Sequence, residues 1–348
     1  MRLIVSIVCA SLLFASSGAH GQKYAGEFMA LGGGARAMGM GSAFTAIADD
    51  ATATYWNPAG IGVLEALRGS PKNWSAVFMH AEQFGNLLNY NFLSAAFPLK
   101  AGESAWGFTF MQMGVPDIRV IPFREGMIGN SDGDELFEPE QGEFINFNNL
   151  DFPLESANDY AVMASYAQRF RFGLGGANVK LIRNDQVTGV TSFGIGLDLG
   201  FVRRALWKDL AVGAKLQDAT GTYIGWSTGK REFIYPALKL GLAYPLRIES
   251  MGSTCTIAVD GDFRFENRQS AAQLWLGRAS LDVHAGAEIF IRGLVAIRGG
   301  FDMDRPTAGM GLVLQNFGPW HMSLGLDYAL MLHDEFDTTH RVSLMVGH

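Results

Sequence analysis

The chain is 348 residues long, with 43 Gly, 25 Phe and only 18% charged residues, where an ordinary soluble domain carries roughly a quarter. Its formal net charge of −7 argues against nucleic acid as a partner, because that role wants a basic face. Beyond the first twenty residues no run reaches the roughly 18 apolar positions of a spanning helix, so any membrane crossing is made by strands.

The N-terminus reads as an export signal. Arg2 is a minimal positive region, Leu3 to Phe14 an apolar run of secretory length, and Ser17-Gly18-Ala19 or Ala19-His20-Gly21 offers small residues for a peptidase. Residues 1–21 are therefore expected to be a signal peptide. Cys9 lies inside the apolar run behind a poor lipobox, Ser6-Ile7-Val8, which argues against a lipid anchor. With Cys9 removed, Cys255 is the single thiol and the mature chain has no internal disulfide.

Residues 22–72 form a small-residue segment suited to close packing in a narrow space. Gly39-Met40-Gly41-Ser42-Ala43-Phe44 lacks the third Gly of a nucleotide-binding loop, and no strand precedes it. The segment ends in Asp49-Asp50-Ala51-Thr52-Ala53-Thr54-Tyr55-Trp56-Asn57-Pro58-Ala59-Gly60. Pro58 pushes Asn57 to an extended conformation and Gly60 tolerates a left-handed one, so Trp56 to Gly60 is expected to be a fixed turn.

From residue 73 the chain alternates with period two, the mark of strands with one apolar face. In Thr191 to Phe201, Phe193, Ile195, Leu197, Leu199 and Phe201 alternate with Ser192, Gly194, Gly196, Asp198 and Gly200. Ile257, Val259, Phe263 and Phe265 likewise oppose Thr256, Asp260, Asp262 and Arg264, charges that need water or partners. About fourteen such segments fall near 73–80, 88–98, 104–114, 158–169, 172–182, 190–202, 208–217, 233–245, 253–265, 279–290, 294–303, 306–315, 320–332 and 339–348. The fold class is all-β: a transmembrane antiparallel barrel over residues 73–348, even-stranded as single-chain outer-membrane barrels are. A soluble sandwich of this length would need two or three domains of about 100 residues, and no linker divides the stretch.

The connections support the same topology. Those near Lys100, Gln168 to Arg171, Arg203 to Lys208, Pro245 to Gly252, Ile291 to Gly293 and Asn316 to Trp320 are short, as periplasmic turns are. Residues 115–157, 218–232 and the tip His333 to Asp337 have the outward parity, and the first is strongly acidic. Within it, Asn130 to Glu135 places Gly133 fourth where an EF-hand needs Gly sixth, so the loop reads as solvated rather than as a metal site. The chain stops at His348, after an alternating Val342, Leu344 and Val346, where barrels commonly end on an aromatic residue.

The pattern Arg36-Ala37-x-Gly39-Met40-Gly41-x-Ala43, then Ala48-Asp49-Asp50-Ala51, then Trp56-Asn57-Pro58-Ala59-Gly60 resembles the start of the PorV/PorQ family, which belongs with the FadL-type outer-membrane transporters. The match covers about 35 residues; the remainder resembles the family in length and strand pattern. The resemblance implies a fourteen-stranded barrel whose N-terminal segment folds into the lumen as a hatch, with Asn57, Pro58 and Ala59 as its fixed point. Arg36 is then expected to pair with an inward carboxylate such as Asp198, Asp260 or Asp262, and Trp56 to seal a gap.

Catalysis has little support: His80, His284 and His321 are scattered, no Gly-x-Ser-x-Gly elbow occurs, and no His/Cys pair has metal spacing. No cofactor is expected. Two non-enzymatic readings follow from the resemblance, both placing the chain in the outer membrane among its lipids. In the first, the protein docks secreted clients or secretion-system components in a type IX-like export route. In the second, it is a FadL-like channel for a hydrophobic small molecule.

Overall fold

A computed structural model describes residues 26–69, 74–83, 87–100, 103–120, 128–129, 144–145, 154–332 and 338–348. The expected signal peptide, the calcium-like stretch and the tip 333–337 lie outside them. The alternating segments become fourteen barrel strands: β1 (Ser75–Gln83), β2 (Leu88–Lys100), β3 (Ser104–Arg119), β4 (Leu154–Phe170), β5 (Gly173–Asp185), β6 (Thr191–Arg203) and β7 (Ala211–Gln217). They continue through β8 (Ala237–Ile248), β9 (Ser253–Arg264), β10 (Ala279–Ile291), β11 (Val295–Asp302), β12 (Arg305–Phe317), β13 (Met322–Met331) and β14 (Thr339–Gly347).

Each strand pairs antiparallel with its neighbours in sequence, and β1 closes the cylinder on β14, with Ser75 opposite Gly347 and Glu82 opposite His340. Trp74 and His348 exchange backbone hydrogen bonds at 3.2 and 3.1 Å, so both ends of the barrel meet at one rim. That rim also carries the short turns, and the long connections lie at the other. Closure leaves no open edge, as a sheet in hydrocarbon requires.

Side-chain parity follows the pleat. On β6, Phe193 and Ile195 are 57% and 52% exposed on the outside, while Ser192 and Asp198 are buried on the inside. Leu242, Ile257, Val259, Ile297, Leu326 and Leu344 continue the outer apolar surface around the wall. Among the described residues no helix is long and apolar enough to span a membrane. A closed cylinder with this greasy outside is a transmembrane β-barrel.

One outward connection differs from the sequence reading. Residues 218–232 are not all loop: Thr222–Trp226 and Arg231–Ile234 pair with each other and extend β7 and β8. Thr222 and Ile224 are buried and Tyr223 is exposed, so the alternation simply resumes after a break. At the break, residues 217–222 stand between paired Leu216 and Tyr223, facing only 196–198 of β6. Asp218 adopts φ 54° and Gly221 φ 74° there.

The outer surface generates a direct test. Replacing Leu242, mid-strand on β8, with Arg should destabilise the barrel by about 2–4 kcal/mol, whereas Trp207→Arg at the short-turn rim should cost about 0–1 kcal/mol. Reversible denaturant unfolding in lipid vesicles measures both.

Candidate functional site

Residues 26–63 run through the inside of the barrel and are almost all buried. Their local structure is short and irregular: a 3₁₀ turn Glu27–Leu31, helix α1 (Ala35–Gly39), helix α2 (Ala53–Trp56) and 3₁₀ turns over Pro58–Gly69. Such a chain satisfies few of its own peptide groups, and the wall supplies the rest. Asp260 of β9 accepts from the backbone N–H groups of Phe44 and Thr45 at 2.8 and 2.7 Å. Ser343 of β14 accepts from Ala35 N–H at 2.7 Å. Asn178 of β5 donates to Thr54 O at 2.7 Å, Lys215 of β7 to Tyr55 O at 2.7 Å, and Tyr90 of β2 to Gly32 O at 2.9 Å.

Arg36 is the charge centre. Its guanidinium forms a two-point contact with Glu288 of β10, Nε to Oε2 and Nη2 to Oε1, both at 2.9 Å. Nη1 reaches Asp49 at 2.5 Å and Asp50 at 3.1 Å. Burial alone would lower its pKa, but Asp49, Glu288 and Asp50 outweigh that and hold it well above the ordinary value. Glu288 is shared with Arg298 of β11 at 2.7 Å, which meets Asp327 of β13 at 2.8 Å. The sequence reading paired Arg36 with Asp198, Asp260 or Asp262, and the structure corrects it. Asp198 is taken by Lys180 and Lys215, Asp260 by the two backbone N–H groups, and Asp262 by Lys239 and His284.

Asn57 is extended, with φ −159° and ψ 106°, as a residue before Pro should be. Its Nδ2 donates to Thr45 O at 2.9 Å and to Phe201 O and Ala214 O of the wall at 3.1 and 3.3 Å. Gly60 N–H closes the turn on Asn57 O at 2.8 Å. Gly60 differs from expectation: it is absent from the residues with positive φ. It is required for space, since a Cβ there would stand 1.9 Å from Ala48 O. Pro58 and Ala59 lie against Gly176 of β5, whose Cβ would meet Ala59 N at 2.4 Å, and Pro58 also lies against Gly200 of β6. Gly41, at φ 62°, fits because a Cβ would stand 2.5 Å from Phe301 N, and Gly39 backs onto Gly309. Trp56 donates to Gly33 O at 2.7 Å and packs edge-on against Tyr55 at 5.0 Å and Phe44 at 6.2 Å.

The structure thus gathers all of Arg36, Gly39, Gly41, Asp49, Asp50, Trp56, Asn57, Pro58, Ala59 and Gly60 inside the barrel, with Gly39 and Gly41 against the wall backbone at Gly309 and Phe301 and the other eight in two groups. Arg36, Asp49 and Asp50 form the ion cluster, and Trp56 to Gly60 form the turn near the short-turn rim. Sequence reasoning missed the partners Glu288, Ser343, Asn178, Lys215 and Tyr90. Their signal was present as polar residues at inward parity on otherwise apolar strands. Among the described residues no cluster of His, Cys, Asp and Glu has the arrangement to hold a metal ion.

The lumen is also divided lengthwise. On the long-loop side of the Asn57 turn, β1 to β5 present Met79, Tyr90, Phe92, Met111, Met163 and Ile182, packed on Phe28 and Met29. Across from them, β8 to β11 present Lys239, Asp262, His284 and Asp302 in one ion chain, with His284 Nδ1 2.7 Å from Asp302.

A closed fourteen-stranded barrel with an irregular segment held in its lumen defines the class of this protein. No family model matches the chain, and no curated protein matches it. Among solved structures, the deltaS2S3 mutant of the TodX monoaromatic hydrocarbon channel matches at 11% identity and TM-score 0.46, covering 91% of this chain and 98% of that one. The outer-membrane protein Omp33 of Acinetobacter baumannii matches at 8% identity and TM-score 0.38, covering 79% and 97%. An outer-membrane channel from Pseudomonas putida F1 matches at 12% identity and TM-score 0.34, covering 79% and 94%.

Arg36→Met leaves Asp49 and Asp50 facing each other without the guanidinium they share, and Glu288 with Arg298 alone, a change that should cost about 3–5 kcal/mol. The expected outcome is faster proteolysis within residues 26–63 while the barrel keeps its heat-modifiable gel mobility. Glu288→Gln should do less, because Asp49 and Asp50 still hold the guanidinium.

Proposed function

We propose that this chain is an outer-membrane barrel in which residues 22–72 act as a hatch, and that it passes a small hydrophobic molecule through the lumen. The observation that carries this reading is the Met- and aromatic-rich wall of β1 to β5. A wall needed only to anchor an irregular plug would be polar or glycine throughout, as β6 to β14 largely are. Methionine and ring side chains give an adaptable apolar surface that accepts ligands of varied shape. Phe28 and Met29 cover that surface, so the path opens when residues 26–31 move while the Asn57 turn stays. The short-turn rim faces the periplasm in this reading. A sideways exit in this reading would lie at the break in β7, which is closed in this structure by Ala219 N–H donating to Leu197 O at 2.7 Å and Asp218 N–H to Asp198 Oδ1 at 2.9 Å.

A second reading, PorV-like docking of secreted proteins, draws on the completeness of the ion cluster and turn. A permanently sealed barrel would leave its external loops as the working surface. The PorV/PorQ resemblance at Arg36 to Gly60 favours it, and a purification decides between the two. Native extraction from outer membranes followed by mass spectrometry should return a bound apolar small molecule and no stoichiometric protein client. The converse result would move the assignment to docking, and recovery of the mature chain in a soluble fraction would remove both readings.

Replacing Asn57-Pro58-Ala59 with Gly-Ser-Gly tests the hatch itself. Loss of the turn and its three Nδ2 hydrogen bonds should raise single-channel conductance in planar bilayers and expose the Arg36 region to protease, with the barrel intact. Unchanged conductance and unchanged cleavage would mean that the segment does not close the lumen.

A further inference from the structure

We propose that the short-turn rim carries a groove for the headgroup of an anionic phospholipid, formed between β3 and β4. Assigning the rim to the periplasmic leaflet rests on the reading above; the groove and its chemistry do not. The groove has a volume of about 530 Å³ and is lined by Ser104, Tyr166, Gln168, Arg169, Phe170 and Arg171, with the carboxylate of Glu103 as its one acid. Two guanidiniums against one carboxylate leave a net positive site. Arg169 N–H donates to Glu103 O at 2.7 Å, which pins the turn backbone beneath it.

The surroundings point to a lipid rather than to free phosphate. Trp106 and Tyr166 stand with ring centroids 5.1 Å apart on the outer face just inside the rim, and both are exposed. Phe170 and Phe172 are exposed beside them, and the Arg171 guanidinium lies 5.2 Å over the Phe172 ring. Aromatic rings at this level mark the boundary between acyl chains and headgroups. A molecule that fills the groove therefore presents phosphate to the arginines and hydrocarbon to the rings. Arginine pairs with a phosphodiester by parallel N–H donors, and Ser104 and Gln168 suit the glycerol and ester oxygens.

The wider rim selects charge. Arg203, Lys208, Arg247 and Arg292 are exposed at other short turns around the rim, against Asp209 and Glu249. A basic rim of this kind draws lipids with net negative charge over zwitterionic ones.

The test uses the full chain reconstituted in phosphatidylcholine vesicles with trace spin-labelled phosphatidylglycerol or spin-labelled phosphatidylcholine. The immobilised fraction of each label gives their relative association. Wild type should prefer phosphatidylglycerol, and Arg169→Gln with Arg171→Gln should reduce that preference by about fivefold for each charge removed. Arg183→Gln, exposed at the opposite end, should leave it unchanged, and millimolar inorganic phosphate should not displace the label. Equal association of the two lipids with wild type, a preference that survives the double variant, or displacement by inorganic phosphate would each overturn the proposal. Heat-modifiable mobility confirms that the variants fold. Because label association does not depend on which way the barrel points, failure of the outer-membrane reading leaves this measurement interpretable.

Discussion

An irregular backbone buried away from water must find a partner for nearly every N–H and C=O, and much of this protein follows from that requirement. The strands satisfy theirs in the ladder. The lumenal segment cannot, having only short helical turns, so the inner wall is written to its needs. Where peptide groups point outward, the wall offers Asp260, Ser343, Asn178, Lys215 and Tyr90. Where backbone meets backbone, the wall is glycine: a Cβ on Gly213 would stand 2.2 Å from Thr45 O, and one on Gly286 would stand 2.1 Å from Met40 O. The small face of the alternating strands is the imprint of what lies inside.

The charges obey the same economy of partners. A buried ion pair adds little net stability over a well-packed apolar pair, because desolvation offsets attraction, but removing one member is costly. A cluster such as Arg36 with Glu288, Asp49 and Asp50 therefore selects one placement of α1 against the wall more than it strengthens the barrel. Sliding α1 by one turn would move the guanidinium about 5.4 Å and break both contacts with Glu288. The barrel needs none of this to close, since its hydrogen bonds run from strand to strand. Stability of the cylinder and placement of the segment inside it are thus largely separate properties of one chain.

The same separation explains what the sequence made legible. Strand number, parity and the greasy outside are local, carried by alternation over ten or so residues, and Phe193 to Phe201 alone displays all but the count. The turn at Asn57 is local too, since Pro58 restricts the residue before it. Pairings across the lumen are not local. Arg36 and Glu288 are separated by 252 residues, and several inward carboxylates share the same parity, so nothing along the chain ranks Glu288 above Asp198 or Asp262. Gly60 shows a subtler limit: the sequence marks it as special but does not say whether conformation or space demands it, and space is the answer. The strand segments Thr222–Trp226 and Arg231–Ile234 read as loop because Asp218 and Gly221 look like turn residues, which they are, and the alternation resumes only at Thr222.

The lumenal segment is not held evenly, and this bears on how a filled barrel passes anything. Around the Asn57 turn, the side chain alone makes three hydrogen bonds to backbone oxygens, and Pro58 and Ala59 abut glycine backbone on β5 and β6. Residues 26–31 are held mainly by packing of Phe28 and Met29 on the apolar wall, with Tyr55 donating to Met29 O at 2.7 Å and a long contact from Arg341 to Leu31 O at 3.4 Å. Apolar contacts are non-directional, and an apolar ligand can replace them nearly one for one. Peptide hydrogen bonds and ion pairs cannot be replaced that way. Within the proposed function, the outer stretch is therefore the part a hydrophobic molecule displaces, while the ion cluster and turn remain as the fixed base against which it moves.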